Sequence, residues 1–370
     1  MRALNRFNRK AVFHSLKVSL AATAVSLFLC TSCSKAKNSK SISGDSEPAK
    51  VESFQKNMPF AFGAAVNINL LKSNTSYREL VIKEYSSLTA ENAMKFGALH
   101  PAEKTYNWSD ADYLVQFASD NNKRVHGHTL IWYKSLPTWV MDFQGDSEAW
   151  EQLFKNHIQA VVSRFRGRVV SWDVVNEALE DNGTLRNSIW LQKLGPNYIA
   201  RAFQYAHEAD PNALLFYNDY GHEYSSVKRA AIINLVNGLK NAGVPIHGIG
   251  LQMHTRYNQT DANLNAAITD ASQTGLKVHI SELDIAVNPD NNPSLTFSAL
   301  LEEQQAEKYF FIVKTFNALP ANQKFGITTW NVSDADTWIT GHYKRPDWPL
   351  PFDKNYKRKA CYQAIIDAVK

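Results

Sequence analysis

From residue 58 onward, short runs of β-branched and aromatic residues alternate with longer amphipathic stretches. The strand-like runs cover 60–66, 86–89, 124–130, 169–175, 214–219, 248–253, 277–283 and 325–332. Between them the apolar residues recur at helical spacing. The clearest case is Trp150, Leu153, Phe154, Ile158, Val161, Val162 and Phe165, which share one face of a helix. Eight strands alternating with helices predict an α/β fold, a (β/α)8 TIM barrel forming a single domain over 57–370. An open doubly wound sheet is the alternative. It lacks the expected signature, because Gly63-Ala64-Ala65 stands where a G-x-G-x-x-G turn belongs.

The amino terminus changes the picture of charge. The formal net charge is +5, but Arg2, Arg6, Arg9, Lys10 and Lys17 precede residue 33 and no acidic residue does. Without that segment basic and acidic residues balance, so no nucleic-acid footprint is expected. The basic stretch is followed by an uncharged apolar run over 18–30 that is too short for a membrane span. It reads as a signal peptide over 1–33. Small residues before Cys33 resemble the lipobox of bacterial lipoproteins. That likeness implies a lipid anchor at Cys33 and a periplasmic or outer-membrane lipoprotein, with ordinary secretion as the alternative. Residues 34–56, rich in Ser, Lys, Asn and Glu, read as a flexible tether. Beyond the signal only Cys361 remains, so no intramolecular disulfide is expected. Its apolar neighbours place it as a buried thiol in a C-terminal helix.

In a barrel the chemistry sits at the carboxyl ends of the strands. Those ends carry Glu91, Asn92 and Lys95; His128 and Trp132; Asn176 and Glu177; Asn218 and Asp219; Gln252 and His254; Glu282 and Asp284; and Trp330. Each alone is explained by a satisfied polar group or a helix cap. Their concentration at seven of eight ends is not. Glu177 and Glu282 close the fourth and seventh strands, on opposite sides of the mouth. A facing carboxyl pair is what cleavage of a glycosidic bond requires. Amides, His128 and Lys95 can bond hydroxyls, and Trp132, Trp330 and Trp338 offer flat faces for sugar rings.

Seven motifs occur in order: LTAENAMK at 88–95, GHTLIW at 127–132, WDVVNEA at 172–178, YNDY at 217–220, GLQMH at 250–254, ISELDI at 280–285 and TTWNVSD at 328–334. The set closely resembles glycoside hydrolase family 10, the retaining endo-β-1,4-xylanases. The resemblance implies xylan or xylo-oligosaccharide as substrate, hydrolysis by double displacement, and no metal or other cofactor. It also implies roles. Glu177 matches the general acid/base and Glu282 the nucleophile, their carboxyls about 5–5.5 Å apart. Asn176 matches the contact to the sugar 2-hydroxyl, and His254 the imidazole bonded to the nucleophile, with Gln252 beside it. Glu91, Asn92, Lys95, His128 and Trp132 match glycone-side binding residues, while Trp330 and Trp338 match indoles covering the cleft. A monomer is expected.

The chain departs from that pattern in two places. Tyr133-Lys134-Ser135 replaces the usual His-Ser-Gln after Trp132, and Asn331 replaces a usual Gly. The lost Gln implies altered glycone binding, hence a longer minimal substrate or tolerance of substituted xylans. The stretch 338–350, with Arg345 and Trp348, is expected to reshape the glycone end. Three rivals remain. A metal-dependent amidohydrolase would use His126 and His128 on one strand face, but needs more His and Asp than His254 supplies. A glycan-binding lipoprotein would have no use for the carboxylate pair. A cellulase would keep the chemistry and change the polymer.

Overall fold

The computed structural model describes residues 53–370. The signal peptide, Cys33 and most of the expected tether lie outside them. Nine parallel strands are β1 (Ala61–Val66), β2 (Ser87–Ala90), β3 (Arg124–Ile131), β4 (Ser171–Asn176), β5 (Leu214–Asp219), β6 (Gly248–Leu251), β7 (His254–Arg256), β8 (Lys277–Ala286) and β9 (Lys324–Trp330). They run in order around a closed barrel, in which β6 and β7 both pair with β8, and β9 pairs with β1. The eight-stranded barrel read from the sequence is therefore present, with one stave broken in two. The break is local. Met253 takes a left-handed conformation (φ 57°), which interrupts the ladder between Leu251 and His254.

The helix expected from Trp150 to Phe165 spans Ser147–Arg164. The Asp146 side chain caps it by accepting from the Ala149 N–H, and it buries Trp150, Leu153, Phe154, Ile158, Val161 and Val162. The C-terminal helix Ala360–Asp367 buries Cys361, whose thiol is pushed up to about 12 by burial. A thiol held neutral in this way packs as an apolar group rather than reacting.

The tether ends earlier than residue 56. Phe54 opens a short helix, Phe54–Asn57, and is fully buried. Its ring centre lies 4.4 Å from that of Phe62 and 4.2 Å from that of Tyr362, and its N–H donates to Glu84. The polar composition of 34–56 concealed this one aromatic residue, which packs between β1 and the C-terminal helix.

Candidate active site

Residues from seven of the eight staves meet in a cleft of about 560 Å3 at the barrel mouth. Lys95, His128, Trp132, Asn176, Glu177, Gln252, His254, Glu282, Trp330 and Trp338 all line it. Glu91 and Asn92 do not. They line a neighbouring hollow after β2, joined to the cleft through Lys95, whose Nζ donates to Asn92 Oδ1 at 2.9 Å. Lys95 also lies over the rings of Trp132 (5.2 Å) and Trp330 (5.8 Å). Burial lowers its pKa, against the raising effect of Glu282, Glu91 and Glu177.

Glu177 follows β4 and has φ 56°, a conformation that bends the chain where the strand ends. Its N–H donates to the Asn218 carbonyl, and Arg186 Nε donates to its own carbonyl, both at 2.9 Å. These bonds hold the bend. Its side chain accepts only from neutral amides: Gln252 Nε2 at 3.0 Å and Asn176 Nδ2 at 3.3 Å, both onto Oε1.

Glu282 lies within β8. Its Oε1 accepts from Asn218 Nδ2 at 2.7 Å and its Oε2 from His254 Nε2 at 3.1 Å. Burial pushes this carboxyl up. The His254 and Asn218 hydrogen bonds and the fields of His128 and His254 outweigh that and hold it below its ordinary value. His254 shows the reverse. Burial pulls its pKa down, but Asp284 and Glu282 raise it well above the usual histidine value. The imidazolium thus donates from Nε2 to Glu282 and from Nδ1 to Asp284 Oδ2 at 2.7 Å. The same Asp284 oxygen accepts from Trp338 Nε1 at 2.7 Å, which ties the covering indole to the ion pair.

A continuous line of amides joins the two carboxylates. Gln252 bonds Glu177 and Asn176; Asn218 bonds Asn176 (2.9 Å) and Glu282. Asn218 Oδ1 accepts from Ser281 at 2.6 Å, which fixes its orientation. The facing position on β6 is Gly250, where an added Cβ would stand 2.2 Å from Asn218 Oδ1. Only a glycine leaves room for this bridge. Sequence reasoning noted Asn218 at a strand end without giving it a site; the YNDY motif was the signal, and its contact to Glu282 required the fold.

Other expected polar ends have different duties. Asp219 is fully buried beneath the mouth, accepting from the Tyr217 hydroxyl and pairing with Lys228 at 3.1 Å; burial raises its pKa to about 6. His126 and His128 share a strand face, and both rings reach the same Asp173 oxygen, at 3.0 and 2.8 Å. His126 also bonds Ser171 and lies below the cleft, whereas His128 sits against Trp330 in its wall. Tyr220, Glu223, Tyr224 and Tyr343 line the cleft without having been anticipated.

The departures have clear positions. Tyr133 packs against the Arg186 guanidinium, whose central carbon lies 4.3 Å from the ring centre. Asn331 has φ 79°, and its Oδ1 accepts from the Trp338 N–H at 2.9 Å. From the stretch 338–350, Trp338, His342 and Tyr343 line the same cleft as Lys95 and Trp132, while Tyr343 and Arg345 also face Tyr224 and Arg256, after β5 and in β7. Residues 345–349 pack along β8, where the Val287 N–H donates to Asp347 and the Ile285 N–H to the Pro349 carbonyl.

Comparison with known proteins agrees with this geometry. The model of glycosyl hydrolase family 10 matches residues 51–368. The chain is 36% identical over 324 residues to "Endo-1,4-beta-xylanase B" of Thermotoga neapolitana, covering 87% of this chain and 92% of that one. It is 38% identical over 327 residues to "Exoglucanase XynX" of Acetivibrio thermocellus, covering 84% of this chain but only 29% of that protein. The crystal structure of xylanase 10B from Thermotoga petrophila in complex with xylobiose superposes with a TM-score of 0.80 at 36% identity, over 85% of this chain and 95% of that one.

Proposed function

The chain belongs to glycosyl hydrolase family 10, and from that membership together with the geometry of its cleft we infer that it is a retaining endo-β-1,4-xylanase. The observation that carries the reading is the pair of carboxylates at the ends of β4 and on β8, linked by amides and held in different surroundings. In the first step a Glu282 oxygen attacks the anomeric carbon while the bond to the leaving oxygen breaks. Glu177 supplies the proton that oxygen needs. In the second step water attacks the glycosyl-enzyme, Glu177 takes its proton, and Glu282 is released as carboxylate. His254 and Asn218 favour the anionic form of Glu282, which the first step consumes and the second regenerates. In this reading Asn176 bonds the sugar beside the breaking bond, and Lys95, Trp132, Trp330 and Trp338, which line the cleft, bind the rings.

Xylan as the polymer is supported by the names of the relatives and by the xylobiose bound in the Thermotoga petrophila neighbour. Tyr133, in place of the usual His, lies against Arg186 beside Glu177, which supports altered glycone binding. Export is part of the same reading, with Cys33 as the acylated residue; [3H]palmitate labelling lost in Cys33→Ser checks it. The reaction itself is tested by following xylohexaose hydrolysis by NMR. Internal cleavage with β-anomers appearing first is expected. Initial α-anomers would sink the mechanism, and faster release from cellohexaose would move the substrate to glucan.

A further inference from the structure

A second hollow, of about 180 Å3, adjoins the cleft and shares Tyr224, His254, Trp338 and Tyr343 with it. The two are therefore contiguous. Two guanidinium groups, Arg256 and Arg345, complete its wall. Arg256 is exposed at the end of β7, its guanidinium carbon 5.3 Å from the Tyr224 ring centre, and no carboxylate pairs with it among the described residues. Arg345 is only 8% exposed, and its Nε has no hydrogen-bond partner. Its Nη2 lies 3.2 Å from Asp347 Oδ2, an ion pair whose geometry leaves that oxygen without a hydrogen bond.

The Arg345 Nε is itself shielded from solvent, so Arg345 offers the hollow its charge, while the exposed Arg256 offers a planar guanidinium fork, which fits a carboxylate through two parallel hydrogen bonds. The carboxylate in the wall cannot serve, because Asp284 Oδ2 is occupied by His254 and Trp338. Tyr224 and Tyr343, 43% and 48% exposed, present flat faces suited to a sugar ring. We propose that this hollow binds a carboxylate-bearing sugar branch of the polysaccharide, a uronic acid, with Arg256 and Arg345 as its recognition groups. The proposal rests on the xylanase reading and adds a specificity to it.

The test uses three substrates: xylan bearing glucuronic acid branches, the same polymer after carboxyl reduction, and linear xylohexaose. Wild type is expected to favour the charged polymer over the reduced one by about two- to fivefold in kcat/KM at low salt, the scale of a solvent-exposed ion pair. Added salt erodes that preference. Arg256→Ala removes most of it, and the charge reversal Arg256→Glu inverts it, while rates on the reduced polymer hold within about twofold. Equal wild-type rates on charged and reduced polymers, or a preference untouched by Arg256→Glu, would overturn the proposal alone. Absence of xylohexaose cleavage would overturn the xylanase reading, and the proposal with it.

Discussion

Glu177 and Glu282 are both nearly buried carboxylates at the mouth of one barrel, yet the two sides of the mouth treat them differently. Glu177 stands on a left-handed bend after β4 and accepts only from the neutral amides of Gln252 and Asn176. Glu282 stands within β8, where the ladder to β9 shifts register between Ile280 and Leu283, and accepts from an imidazolium and an amide, with Asp284 and Trp338 bracing the imidazolium from behind. A group that must give up and regain a proton during turnover is served by the first setting. A group that must stay anionic until it attacks is served by the second. The same side chain is thus assigned two tasks by its neighbours.

The strongest way to break this comparison is to remove each carboxylate separately. Glu282→Ala should lower kcat on xylan by on the order of 10^4-fold or more. Added azide should then restore turnover by entering from the vacated face, giving the α-glycosyl azide. Glu177→Ala should behave otherwise. With a dinitrophenyl glycoside, whose leaving group needs no proton, glycosylation should persist and azide should yield the β-glycosyl azide. The same azide anomer from both variants would show that the two sides are not divided as described.

Replacing His254 tests the contrast by leaving Glu282 with only a neutral donor, the Asn218 amide. His254→Ala should cost roughly 10^2-fold in kcat, the scale of one lost electrostatic partner. Because His254 holds the Glu282 carboxyl low, the acid limb of kcat/KM should move to higher pH in the variant. The pair also leaves a signature in stability. The lowered Glu282 pKa stabilises the fold above the ordinary value of 4.5, and that contribution is lost as pH falls through the folded value. The raised His254 pKa stabilises it below the ordinary 6.5, and that contribution is lost as pH rises through the folded value. The Tm difference between wild type and His254→Ala should therefore be greatest between those two values and shrink on both sides. A difference flat with pH would remove the ion pair from the account.

What was legible in the sequence follows the same division. Glu177, Glu282, His254 and Gln252 stood at strand ends inside recognisable motifs, and the alternation of strands with helices was enough to bring those ends together. Features made by backbone conformation or by distant loops were not legible. Nothing local marks Met253 as the break in a stave, or Glu177 as a left-handed bend, since neither residue type prefers that conformation. The Arg345 hollow joins residues from β7 and from loops after β5 and β9, and no spacing rule links 224, 256 and 345. Phe54 was hidden by its polar neighbours.

The amide line between the two sides offers a gentler test. Gly250→Ala would press a methyl group against Asn218 and displace its bonds to Asn176 and Glu282. A loss of roughly tenfold in kcat is expected, on the scale of one hydrogen bond to a charged group. Unchanged kcat, in a variant whose fold is intact by circular dichroism, would show that the line does not couple the carboxylates.

The smallest effect concerns Asn331, which supports the Glu282 side from outside. Its left-handed backbone suits glycine, yet its side chain also holds the N–H of Trp338, the indole bonded to Asp284. The two demands can be separated. Asn331→Gly keeps the backbone conformation at no strain but loses the hydrogen bond, a cost of about 1 kcal/mol. Asn331→Ala loses the bond and also holds a Cβ in the left-handed region, which adds about 1–2 kcal/mol. Melting curves should therefore rank wild type above Asn331→Gly, and that above Asn331→Ala. Because Trp338 covers the cleft without reaching the reacting carboxylates, KM should rise more than kcat falls in both variants. Equal melting temperatures for Gly and Ala would deny the backbone demand. An unchanged KM in both would deny that this asparagine positions the indole.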